Sequence, residues 1–144
     1  MLTQRIGETL RKPLYGIVDL LARSGIHPNL LTFSGLLVNI WAAVLFAKGQ
    51  FPAAGGVMLF AGVFDMVDGR VARAQGRVTR FGAYFDSTID RYSDLILFLG
   101  LMIHYTNVDR KFYAVLVGVA MMGSVMVSYT RARAESMKIG RAHV

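Results

Sequence analysis

Apolar residues dominate four stretches of the chain, and the polar positions around them set its organisation. Residues 30–47 (LLTFSGLLVNIWAAVLFA) and 112–129 (FYAVLVGVAMMGSVMVSY) carry no charge. They approach the roughly 20 residues that a membrane-spanning helix needs. Residues 52–73 begin apolar and then meet Asp65, Asp68, Arg70 and Arg73. Residues 81–103 run the other way, with Asp86, Asp90, Arg91 and Asp94 ahead of the clean run LILFLGLMI. The pattern predicts four spans, the second and third carrying their charges at facing ends on either side of the basic loop AQGRVTR. Upstream, Leu2, Ile6, Leu10, Leu14, Ile17, Val18 and Leu21 recur at helical spacing among Arg5, Arg11, Lys12 and Arg23. That predicts an amphipathic helix over residues 1–27, lying on the membrane surface and kinked near Pro13. The same segment holds no long apolar core of the kind a cleavable signal peptide requires. The expected fold is therefore an all-α integral membrane protein: a surface helix followed by a polytopic helical bundle over residues 28–144.

With 144 residues, 54% of them hydrophobic, the chain has room for one domain, and its apolar surface suits a bilayer rather than a soluble core. The net charge of +7 changes the picture through its distribution. Four cations lie in the first 27 residues, four in 70–80 and four in 131–144, against Lys48, Arg110 and Lys111 in the other two loops. The positive-inside rule then places the N-terminus, the aspartate-bearing ends and the C-terminus in the cytoplasm, in a multi-pass protein of the cell (inner or plasma) membrane. The basic excess reads as topology, and no nucleic-acid partner is expected. There is no cysteine, so any metal must be held by oxygen or imidazole ligands.

The aspartates are the anomaly, because a carboxylate in hydrocarbon costs about 3 kcal/mol even on the lenient insertion scale. At about 100° per residue, Asp65, Asp68 and Ala72 share a narrow arc of one helix, while Gly82, Asp86, Asp90 and Asp94 trace a ridge on the next. Two consecutive helices joined by a short loop are expected to pack antiparallel, with both ridges facing one cavity. Four carboxylates there repel one another, and two divalent cations would neutralise them. Oxygen-only ligands favour magnesium or manganese, and a pair of such ions suits phosphoryl transfer. Ion pairing with Arg70, Arg73 and Arg91, or a proton or cation pathway, remains an alternative reading. Asp94 is read as a hydrogen-bonding neighbour rather than a ligand.

The stretch Asp65-x2-Asp68-Gly69-x2-Ala72-Arg73, then eight residues, then Gly82-x3-Asp86-x3-Asp90 resembles, position by position, the signature of the CDP-alcohol phosphotransferase family. The resemblance extends upstream to Pro28-Asn29-Leu30-Leu31-Thr32 and downstream to Glu135. It implies transfer of a phosphate-bearing alcohol from a CDP-linked lipid donor to an acceptor hydroxyl, with release of CMP and dependence on Mg2+ or Mn2+. By motif position, Asp65, Asp68, Asp86 and Asp90 would hold two ions, and Asp90 would also be the general base. Gly69, Ala72 and Gly82 would let the nucleotide approach the helix backbones, Arg73 would hold the diphosphate, and Thr79, Asn29 and Thr32 would line the cytidine side. A homodimer is implied in the same way. Members usually have six spans and this chain ends after four, which implies a chain shortened at its C-terminus.

Ser128-Tyr129-Thr130-Arg131-Ala132-Arg133-Ala134-Glu135 is similar to the "SYxKARAE" run of phosphatidylinositol-phosphate synthases, with Arg131 in place of Lys. Arg131 and Arg133 are read either as binding the phosphate of a small polar alcohol acceptor or as positive-inside anchors. The expected donor is CDP-diacylglycerol and the expected acceptor inositol phosphate, with glycerol 3-phosphate as the alternative. A membrane prenyltransferase and a cation transporter are the competing classes. Gly55 and Gly62, seven residues apart, are read as a close-packing stripe among the lipid-embedded helices. His27, His104 and His143 make no metal constellation.

Overall fold

The computed structural model describes residues 27–74, 76 and 79–137, without the side chains of Pro28, 63–70, Ala72 and Ala74. Of the surface helix expected over 1–27, all but His27 lies outside the described residues. Four helices follow: α1 (Pro28–Ala47), α2 (Phe51–Ala74), α3 (Arg80–Asn107) and α4 (Lys111–Ser136). Each contains the corresponding stretch read from the hydropathy pattern. Asn29–Ala47 and Lys111–Ser136 are long and apolar enough to cross a membrane unaided, whereas the uninterrupted apolar part of α2 is only Phe51–Gly62. The charged segments of α2 and α3 therefore need something other than lipid to face.

Local chemistry sets the helix ends. Pro28 opens α1 at the position where its missing N–H is harmless, and His27 Nδ1 accepts from the Asn29 N–H at 3.3 Å. Thr79 caps α3, its Oγ1 accepting from the Gly82 N–H at 2.9 Å. α1 closes with Gly49 at φ +74° while the Gln50 N–H reaches back to the Leu45 carbonyl. α3 closes in the same way with Asp109 at φ 53° and the Arg110 N–H on the Tyr105 carbonyl. Both are Schellman endings, the second using Asp where Gly is usual. They gather aromatic rings at this end of the bundle: Phe51 meets His104 edge-on at 4.9 Å, and Tyr105 stacks on Tyr113 at 5.3 Å. Such a cluster suits the membrane–water boundary.

α1 is the hub. It packs on both α2 and α3, and α3 packs on α4. Among the described residues the α2 and α3 backbones do not approach each other as each approaches α1, while both helices border one cavity. Side-chain size favours the close approach to α1: among the described residues four of the six buried apolar ones are alanines, Ala42 and Ala43 on α1 and Ala54 and Ala61 on α2, beside the larger Leu31 and Val71. Gly100 of α3 is buried against the Ala43 backbone, where an added Cβ would lie 2.9 Å from the Ala43 Cα. In lipid, helices associate through this kind of close backbone approach, because burying apolar surface gains nothing over leaving it in acyl chains. The stripe expected at Gly55 and Gly62 sits one residue off, at Ala54 and Ala61: a Cβ on either glycine would meet nothing within 4 Å. Among the described residues α4 touches only α3 and has no buried residue, and Phe112, Val115 and Val127 stand exposed on it.

If Gly100 sets the α1–α3 distance, Gly100→Ala must push the two helices apart. A thermal-unfolding series in detergent should show a loss of about 1–3 kcal/mol, the usual penalty for overpacking a tight contact.

Candidate functional site

α1, α2 and α3 together border a cleft of about 420 Å³. Met58 and Gly62 of α2 form one wall, Asp86, Asp90 and Asp94 of α3 the other, and Asn39 of α1 belongs to the same lining. Gly62 thus borders open space instead of a neighbouring helix. Asp86 and Asp90 stand one helical turn apart and are both half-buried. Asp86 has no hydrogen-bond or ion-pair partner among the described residues. Asp94 is occupied differently, pairing with Arg91 at 3.5 Å. Asp65, Asp68, Gly69 and Ala72 lie on the helical backbone of α2, but their side chains are outside the described set.

A second constellation gathers where α1 and α3 begin. A Cβ on Gly82 would lie 3.0 Å from Thr79 Oγ1 and 3.6 Å from Asn29 Oδ1, so three residues assigned to the nucleotide from two distant places in the sequence adjoin one another. Thr32, one turn into α1 from Asn29, is buried at 5% exposure. Arg73 sits exposed in the last turn of α2.

The far side of α3 faces another cavity, of about 760 Å³, shared with α4 and rich in hydroxyls from Tyr84, Thr88, Tyr92, Ser128 and Tyr129. Arg91 lines this cavity and the acidic cleft alike, and its Nη1 donates to Ser128 Oγ at 2.6 Å across the helix pair. Of the two arginines proposed for the acceptor, Arg131 lines the cavity and pairs with Glu135 at 3.2 Å. That pair is solvent-exposed and so holds Arg131 only weakly. Arg133 is exposed and is not part of the lining.

The donor set of the cleft fits a hard divalent cation. Its ligating atoms are carboxylate and amide or hydroxyl oxygens, with no imidazole or thiol, and Asp86 is a half-buried carboxylate without a counter-charge among the described residues. The described side chains alone bring no three His, Asp or Glu residues together as a metal site, so the α3 ridge needs a further donor from another helix. The sequence reading passed over Asn39 and Ser93, which are buried at 6% and 8% exposure. A lone Asn within an otherwise uncharged span was the available signal, since a polar group placed in hydrocarbon asks for a partner.

Comparison with known proteins adds an independent line. The CDP-alcohol phosphatidyltransferase family matches residues 25–143. The archaetidylinositol phosphate synthase of Pyrococcus horikoshii is 39% identical over 133 residues, which cover 91% of this chain and 67% of that protein. The crystal structure of the Mycobacterium tuberculosis phosphatidylinositol phosphate synthase with CDP-DAG bound superposes with a TM-score of 0.81 at 34% identity, covering 86% of this chain and 63% of that one. The same enzyme in complex with manganese and citrate gives 0.80 at 35% identity, covering 87% and 61%. This chain therefore spans under two thirds of the solved enzyme's length.

Proposed function

The chain belongs to the CDP-alcohol phosphatidyltransferase family, and from that premise we propose that it transfers a phosphatidyl group from CDP-diacylglycerol to a hydroxyl of inositol phosphate, releasing CMP. The carrying observation is the cleft, in which Asp86 and Asp90 stand half-buried beside an open volume between two helices. The relative and the solved neighbour differ in the lipid part of their names and agree on inositol phosphate, which favours that acceptor over glycerol 3-phosphate. The protein acts in the cell membrane as a homodimer, with the cleft opening to the cytoplasm, where the basic segments gather.

In this reading Asp65, Asp68, Asp86 and Asp90 hold two magnesium or manganese ions. Gly62 lines the cleft, and helical spacing carries Asp65, three residues further on, to the same side of α2. Bound cations supply charge neutralisation for the diphosphate and for the departing CMP. The chain's own residues do the rest. Asn29, Thr32 and Thr79 receive the cytidine, while Gly69, Ala72 and Gly82 leave room for it against the backbone. Arg73 grips the diphosphate from the end of α2. The acceptor hydroxyl oxygen bonds to the lipid-bearing phosphorus as the bond from that phosphorus to the bridging oxygen breaks, and CMP leaves with that oxygen. Asp90 takes the hydroxyl proton. Arg131 holds the acceptor phosphate from within the hydroxyl-rich cavity beside α4.

Two tests separate these roles. Asp90→Asn should lower CMP release by about 10²–10⁴-fold while CDP-lipid binding survives, as removal of a general base does. Asp86→Asn should lose metal and donor together, and near-normal turnover in Asp90→Asn at saturating magnesium would move the base elsewhere. A panel of acceptors read by CMP release should select inositol phosphate. Neutralising Arg131 should then raise the acceptor KM well above any change in the donor KM; selection of glycerol 3-phosphate, or equal effects on both KM values, would refute the acceptor assignment.

A further inference from the structure

Asn39 is the most conspicuous polar residue that this scheme leaves unused. It is 6% exposed, lies on the hub helix, lines the acidic cleft, and has no hydrogen-bond partner among the described residues. A buried amide left unsatisfied costs about 1–3 kcal/mol, so a native membrane helix keeps one only where something in the cleft satisfies it. Its depth fits that role. α1 and α3 run in the same direction, with Asn29 beside Gly82 near their starts. From that shared level, at about 1.5 Å per residue, Asn39 lies about 15 Å in, between Asp90 at about 12 Å and Asp94 at about 18 Å.

Asp94 pairs with Arg91 at 3.5 Å, whereas Asp86 has no partner among the described residues, so a neutral oxygen donor here would serve the ion that Asp86 calls for. We propose that Asn39 completes the cation site from α1, its carboxamide oxygen serving a divalent ion held by Asp86 and Asp90, directly or through one of the ion's waters. Hard cations take such amide oxygens readily, and magnesium keeps part of its water shell for neighbouring groups to hold. α1 would then do more than pack on α2 and α3: a bound ion would tie it to the α3 ridge. The proposal rests on the metal-dependent reading above but can fail separately from it.

The test is Mn2+ binding to the full chain in detergent, followed by electron paramagnetic resonance with no donor, no acceptor and no turnover. Asn39→Ala should weaken Mn2+ binding about 10- to 100-fold, the usual effect of removing a group that supports a metal's ligands. Asn39→Asp, which keeps an oxygen in place, should retain or tighten it. Unchanged Mn2+ affinity in Asn39→Ala overturns the proposal, as does weaker binding of CDP-lipid alone, which would make Asn39 a donor-binding residue. If Asn39→Ala does not fold, Asn39→Asp decides alone, since loss of Mn2+ binding in a folded Asn39→Asp protein contradicts an oxygen-donor role. Asp86→Asn is the control: if it too leaves Mn2+ binding intact, the metal reading of the cleft fails rather than the part given to Asn39.

Discussion

The closeness of α1 to both of its neighbours governs the rest of this molecule. Ala42 and Ala43 on α1, Ala54 and Ala61 on α2 and Gly100 on α3 present almost no side chain at the contacts, and in a bilayer such surfaces are what allow helices to associate. Among the described residues α2 and α3 both pack on α1 and border one cleft, which the carboxylates of α3 line. A bundle in which α2 packed directly on α3 would bury like charges together with no room for a counter-ion, at a cost that low-dielectric surroundings make large.

α3 is the element that turns this spacing into chemistry, since its two sides face different cavities. One side presents Asp86 and Asp90 to the acidic cleft, and the other presents Tyr84, Thr88 and Tyr92 to the hydroxyl-rich space beside α4. Arg91 borders both, tied to Asp94 on its own helix and to Ser128 on α4. In the proposed scheme, donor-side and acceptor-side groups are thus carried by one rigid helix. A transfer reaction that must bring two substrates to a single phosphorus gains from that pre-organisation.

Much of this was open to reading in the sequence, for identifiable reasons. Charge-free runs mark α1 and α4 because spanning a bilayer imposes length and apolarity together, and Pro28 and Thr79 mark helix starts because both meet the needs of unpaired N–H groups. The carboxylate ridge of α3 followed from four-residue spacing. The arrangement of neighbours did not, because hydropathy says that a helix is embedded without saying which helix it touches. Ala54 with Ala61 and Gly55 with Gly62 have the same seven-residue spacing, so periodicity had no means of choosing the packing stripe. Residue size favoured the glycines, and the structure uses the alanines. Arg131 and Arg133 were paired by motif, yet two residues on a helix differ by about 200° in direction, and only Arg131 lines the cavity.

The central claim is that the cleft bordered by α1, α2 and α3 is a divalent-cation site for phosphoryl transfer. Anomalous scattering from crystals of the protein grown with manganese and a CDP-linked lipid tests it most directly. The account predicts manganese peaks inside this cleft, against Asp86 and Asp90, with the diphosphate beside them. Well-ordered donor density with no manganese between the two helices, or manganese bound only outside the cleft, would contradict it.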